Sequence, residues 1–160
     1  MRLLPAAIAL WLPVLAVSAA GQPLLKEGLW SIHTMTIDQP GGKKAEGSRS
    51  LCRSHAYDEH VRSVAKAPNC KTISKNTSGG TIKTEEECTV GNSVLRVNGT
   101  AMISETAAHS ENHTTYTPAI NGISETTMIM DQKYMGACPA GTGPGDSISA
   151  DGRVTHLWKH

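Results

Sequence analysis

Phenylalanine is absent from the 160 residues, and aromatic side chains of all kinds make up 4% of the chain. Any core must therefore be assembled from Val, Ile, Leu, Met and a few rings, and it will be lean. A basic patch is missing too. The 15 Lys and Arg do not cluster, and Arg2 is the one that falls in the N-terminal apolar segment, so the rest of the chain balances at 14 − 14 = 0 formal charge. A nucleic-acid partner, which needs a basic surface, is not expected. Catalytic signatures are equally scarce: there is no Gly-x-Ser-x-Gly, no His-Glu-x-x-His, no P-loop and no dinucleotide fingerprint. The glycine-rich Gly141–Asp146, "GTGPGD", lacks the Lys-Ser/Thr of a phosphate cradle. No catalytic residue and no cofactor site is therefore expected, and the chain reads as something other than an enzyme.

What is present begins with the N-terminus. Arg2 precedes an uncharged apolar run, Leu3–Val17, and Val17-Ser18-Ala19-Ala20 supplies the small residues that a signal peptidase reads. Pro5 and Pro13 argue against an uncleaved span. We expect a signal peptide over residues 1–20, cleaved after Ala19 or Ala20, no transmembrane segment afterwards, and a periplasmic or secreted protein. No cysteine stands near the cleavage site, so lipid anchoring is not indicated. Residues 21–138 have the length of one domain.

Four cysteines, Cys52, Cys70, Cys88 and Cys138, follow the signal segment. In an oxidising compartment they imply two disulfides rather than zinc, for which paired C-x-x-C spacings would be needed. Of the three connectivities, the segment "CKTISKNTSGGTIKTEEEC" favours one. A three-residue loop Ser78-Gly79-Gly80, with Gly80 left-handed, would face Thr77 with Thr81 and bring Cys70 opposite Cys88. That leaves Cys52 to pair with Cys138. The same register sets Lys75 unfavourably against Lys83.

Most of the remaining sequence alternates as strands do. Gly28–Ile37 ends in the turn cluster Asp38–Gly42, and a second extended piece leads to Cys52. Ser54 can cap a short helix with Tyr57, Val61, Val64 and Ala65 on one side, stopped by Pro68. Ser93–Glu105 places Leu95, Val97, Ala101 and Ile103 on one face, with Gly99 suggesting a bulge. Ala107–Thr117 and Ile123–Gln132 complete the series. The expected fold is mostly β (α+β): a curved antiparallel β-meander or partly closed barrel with one short helix and two disulfides. Residues 139–160, rich in Gly and Pro, are expected to form a flexible tail.

"KEGLW" at Lys26–Trp30, a cysteine before a short helix, an internal cystine hairpin and "KYMGAC" at Lys133–Cys138 together resemble the bacterial exported family catalogued as domain of unknown function 3617. The resemblance spans about residues 26 to 138. This chain departs from the family pattern at Glu27, where proline is usual, and at Arg53-Ser54-His55, where a Leu-Thr-Pro-Glu-like run is usual. The family implies export and supplies no activity.

Three constellations are candidate sites. His109 and His113 of "HSENH" are possible metal ligands, but in a strand they would lie ~13 Å apart. Met128 and Met130 share a strand face and carry thioethers suited to Cu(I). Trp30 is a candidate ligand-stacking platform as well as a candidate core residue. The sequons at Asn76, Asn98 and Asn112 carry no meaning in a bacterial protein. The favoured reading is a non-catalytic binding module for an apolar or lipid-like ligand or an envelope partner. The alternative is a periplasmic copper or zinc binder using Met128, Met130 and the histidines.

Overall fold

The computed structural model describes residues 24–64 and 69–158. The expected signal peptide, and Ala65 and Pro68 at the expected helix end, lie outside the described residues. The chain runs β1 (Gly28–Gln39), β2 (Lys43–Arg53), α1 (His55–Val64), β3 (Cys70–Ser78), β4 (Thr81–Val90), β5 (Ser93–Ile103), β6 (Ala107–Ile120), β7 (Ile123–Gly136), β8 (Asp146–Ser149) and β9 (Val154–His156). The nine strands form one antiparallel sheet in the order β3-β4-β5-β6-β7-β1-β2-β8-β9. Strands β3 to β7 are a meander, and the β1-β2 hairpin docks against β7. The mostly-β class, the single helix and the two disulfides agree with expectation. The sheet does not close into a barrel, and β3 and β9 are its edges.

Two disulfides staple this sheet: Cys70 to Cys88 across the β3-β4 hairpin, and Cys52 at the end of β2 to Cys138 just after β7. The hairpin reaches its register by a different route from the expected one. Its loop is the two residues Gly79-Gly80, both at positive φ (55° and 79°), and Ser78 faces Thr81. Both positions of such a turn need left-handed backbone, which glycine adopts without a Cβ clash. The strand pair then starts one residue out of the expected register, and an irregularity between Thr72 and Ser74 restores it, so that Cys70 faces Cys88 and Lys71 faces Glu87. Between the loop and the irregularity Lys75 faces Thr84 rather than Lys83. The shift removes the like-charge pair.

Alternation divides the sheet into two faces. Trp30, Ile32, Leu51, Ala101, Ile103, Ala108 and Met130 fall on the face that carries α1, and in-register pairing aligns them across five strands. The buried apolar residues are few: Trp30, Ile32, Leu51, Cys52, Tyr57, Cys88 and Ala108 among the described residues. Tyr57 is the only buried residue of α1, while Val61 and Val64 are 39% and 65% exposed, so the expected apolar helix face is not a packed one. The helix touches the sheet mainly near its first turn.

Gly99 does not form the expected bulge. It stays in register with Thr84 on β4 and Asn112 on β6. A Cβ there would lie 2.7 Å from Asn112 Oδ1 and 2.8 Å from Thr84 Oγ1, so glycine leaves room for two polar side chains that lean over it.

Residues 139–158, expected as a flexible tail, are instead built into the sheet. β8 pairs with the second half of β2, Arg49–Leu51, and β9 pairs with β8. Asp146 and Ser147 are buried, and Trp158 packs against the core. Gly- and Pro-rich composition set the turns of this segment without preventing it from pairing with a strand that had a free edge.

Candidate ligand-binding groove

The ends of the domain meet at the foot of β1. The amide of Lys26 donates to the carbonyl of Glu105 at 2.8 Å, and the indole N–H of Trp30 donates to the carbonyl of Lys26, also at 2.8 Å. The Lys26 ammonium stands 4.8 Å from the centre of the Tyr134 ring, which meets Trp30 edge-on with centroids 5.9 Å apart. "KEGLW" and "KYMGAC" are therefore one structural unit: the first residues of β1 locked onto the last of β7, with Cys138 bonded to Cys52 beside them. Regular pairing from Trp30–Tyr134 through Ile32–Gln132 to Thr34–Met130 puts both rings on the helix side, and an extra β7 residue follows, between this pair and Leu29–Gly136.

This lock carries residues 24–27 over the start of α1. Glu27 Oε1 accepts the backbone N–H of His55 at 2.8 Å, and His55 Nε2 donates to the carbonyl of Leu25 at 3.0 Å. Ser54 Oγ accepts the N–H of Tyr57 at 3.2 Å, the expected cap. Arg53 joins three elements: Nε donates to Asp58 Oδ1 at 2.9 Å, Nη1 donates to Gln132 Oε1 at 2.7 Å, and the guanidinium lies 5.4 Å from the Trp30 ring centre. With the Arg53 and Asp58 side chains 14% and 13% exposed, this pair compensates both charges at the edge of the core.

Between α1, the 24–27 segment and the sheet runs a groove of about 490 Å³. Its floor is Ile32, Leu51, Ala101, Ile103, Ala108 and Met130; its walls are Tyr57 and Val61 of the helix and Leu24 and Leu25 of the leading segment. Small residues at 101 and 108 keep the floor low where larger ones would fill it. Three arginines, Arg49, Arg53 and Arg62, and one carboxylate, Asp58, line it as well. Arg53 is engaged as above, and Arg62 pairs at 2.7 Å with the exposed Glu59. Arg49 is exposed and has no hydrogen-bond or ion-pair partner among the described residues. Apolar walls with a few placed polar groups are the usual make-up of a small-molecule site.

The opposite face carries a larger, more open depression of about 910 Å³, lined in part by His33, His109, Asp131 and Lys133. There Asp131 faces His33 on one side and His109 on the other. His109 Nδ1 donates to Asp131 Oδ1 at 2.7 Å, and His33 Nδ1 shares a 2.9 Å hydrogen bond with Ser48 Oγ. Among the described residues no element packs over this row. Among the described residues, no three or more His, Cys, Asp or Glu converge as a metal site.

The expected metal set is divided by the sheet. His109 and His113 project to the open face, where His113 lies 3.3 Å from Thr127 Oγ1, whereas Met128 and Met130 project to the helix face and Met130 packs on Ile32, Leu51 and Tyr57. Imidazoles and thioethers on opposite faces cannot share one ion, which corrects the combined site. Trp30 offers no platform either, because it is fully buried and has no exposed surface. Arg49 and Arg53 escaped the sequence reading. The signal was there, in the alternation Arg49, Leu51, Arg53 along β2, which puts all three on the helix face.

An open nine-stranded antiparallel sheet, stapled by two disulfides and bearing one helix across a mainly apolar groove, defines the class of this molecule. The chain belongs to the family described as protein of unknown function (DUF3617), whose model matches residues 25–138. Among curated proteins and among solved structures, none matches. Among the described residues no helix is long and apolar enough to cross a membrane.

Proposed function

We propose that this protein is an exported, non-catalytic binding module that holds an apolar or lipid-like ligand in the groove beneath α1. The observation that carries the reading is the groove itself: an apolar floor drawn from β1, β2, β5, β6 and β7 and walled by Tyr57, Val61, Leu24 and Leu25. Its volume of about 490 Å³ falls within the ~300–1,000 Å³ of ordinary ligand pockets. Two disulfides support a periplasmic or secreted location, where such bonds persist. The absence of recognisable catalytic motifs leaves binding as the simplest activity for such a surface.

The test uses an uncharged fluorescent apolar probe, N-phenyl-1-naphthylamine, with the wild-type protein and with Ala101→Leu, which raises the groove floor. Saturable one-to-one enhancement that weakens at least fivefold in the variant is expected. Equal binding by both proteins, or no saturable binding by either, would refute the reading.

A further inference from the structure

We infer that the groove takes a single-chain amphiphile with a carboxylate head, its chain on the floor and its head on Arg49; this rests on the groove reading above. The argument is one of charge left over. Of the four charged side chains that line the groove, Arg53 and Asp58 are 2.9 Å apart and satisfy each other, and Arg62 is matched by Glu59. Of these four, Arg49 alone has no hydrogen-bond or ion-pair partner among the described residues.

Its position suits a head-group contact. Arg49 lies on the helix face of β2, two residues from the buried Leu51 and directly across from the buried Ile32 on β1. Its stem therefore borders the apolar floor while its exposed guanidinium reaches water, as long cationic side chains do at the boundary of an apolar surface. A guanidinium presents a planar fork that matches a carboxylate with two parallel N–H···O bonds. A cationic head would meet Arg49 with repulsion. A neutral head would gain only ordinary hydrogen bonds.

Isothermal titration at pH 8, below the micellar concentrations, compares dodecanoate, dodecanol and dodecyltrimethylammonium on the intact protein. Dodecanoate is expected to bind about tenfold tighter than either of the others. Arg49→Gln is expected to remove that advantage and leave dodecanol unchanged, while Lys44→Gln, the same charge change on the opposite face of β2, has no effect. Equal affinity for the three compounds, or an Arg49→Gln protein that still prefers dodecanoate, overturns the head-group assignment and leaves the groove reading intact. Failure of all three to bind overturns both.

Discussion

A methyl group at residue 28 tests the lock between the two ends of the domain. Gly28 sits at φ +137°, and a Cβ built there collides with the carbonyl oxygen of Gly136 and lies 2.9 Å from Tyr134 Cε2. Two costs combine in Gly28→Ala. A left-handed backbone on a non-glycine residue costs about 1–3 kcal/mol, and overpacking against backbone that cannot rotate away adds about 1–3 kcal/mol. The sum, roughly 2–6 kcal/mol, is a large part of the ~5–15 kcal/mol that holds a typical domain folded. Gly136→Ala is the internal control. Gly136 lies at φ +129° with no atom within 4 Å of the added Cβ, so it carries only the backbone part, about 1–3 kcal/mol. Urea denaturation with both disulfides intact, followed by tryptophan fluorescence, reads the difference. Trp30 is buried at this junction and reports directly on it. The reasoning is refuted if Gly28→Ala stays within about 0.5 kcal/mol of the parent, or if Gly136→Ala proves the costlier change.

Two further expectations follow from the same region and from the C-terminal strands. Glu27 and His55 touch across the start of α1: the Glu27 carboxylate accepts an N–H that a proline at 55 would not have. Glu27→Ala should therefore cost about 0.5–1 kcal/mol in the parent and close to nothing in a His55→Pro background, a coupling that a double-mutant cycle in urea measures; additive effects would sink the idea. Asp146 is held below the usual carboxylate range, first by the Gly143 N–H and then by the His156 ring. Because the folded value is the lower one, its contribution is full above ~4, the unfolded value, and fades as pH falls through the folded value. Amide exchange at Ser147–Ser149 should accelerate below about pH 4 in the parent and lose that dependence in Asp146→Asn. Unchanged protection down to pH 2 in the parent would contradict it.

Local rules carried the reading of strands and failed where a partner decides the outcome. Alternation placed Leu95, Val97, Ala101 and Ile103 on one face because a period of two is set by the backbone alone. The cystine hairpin was legible for the same reason, although the loop is one residue shorter than the spacing suggested and an irregularity at residue 73 offsets it. Gly99 looked like a bulge because glycine in a strand has two explanations, and only the Asn112 and Thr84 side chains select close approach. Residues 139–158 read as a tail because they contain little to bury. Their order depends on the edge of β2 and on the stacking of Trp158 with His60, 5.6 Å between ring centres, neither of which is encoded nearby. The histidines and methionines could be assigned to strands but not to faces of a common sheet until pairing was known.

The division between family span and added strands bears on where function resides. Apart from Leu24, every residue that lines the groove falls within 25–138, the span of the family match, and none comes from β8 or β9. The added strands act from behind. Trp158 packs on Tyr57 with ring centres 5.8 Å apart, and Gly145, whose Cβ would stand 2.7 Å from that of Trp158, allows the chain to pass close beside the helix. Tyr57 is the one buried residue of α1 and also a groove wall. The C-terminal strands therefore brace the wall without contributing to the surface a ligand would touch. The helix is held at its first turn by Glu27 and Arg53 and braced by Trp158 on Tyr57 and His60, while Val61 and Val64 beyond stay exposed.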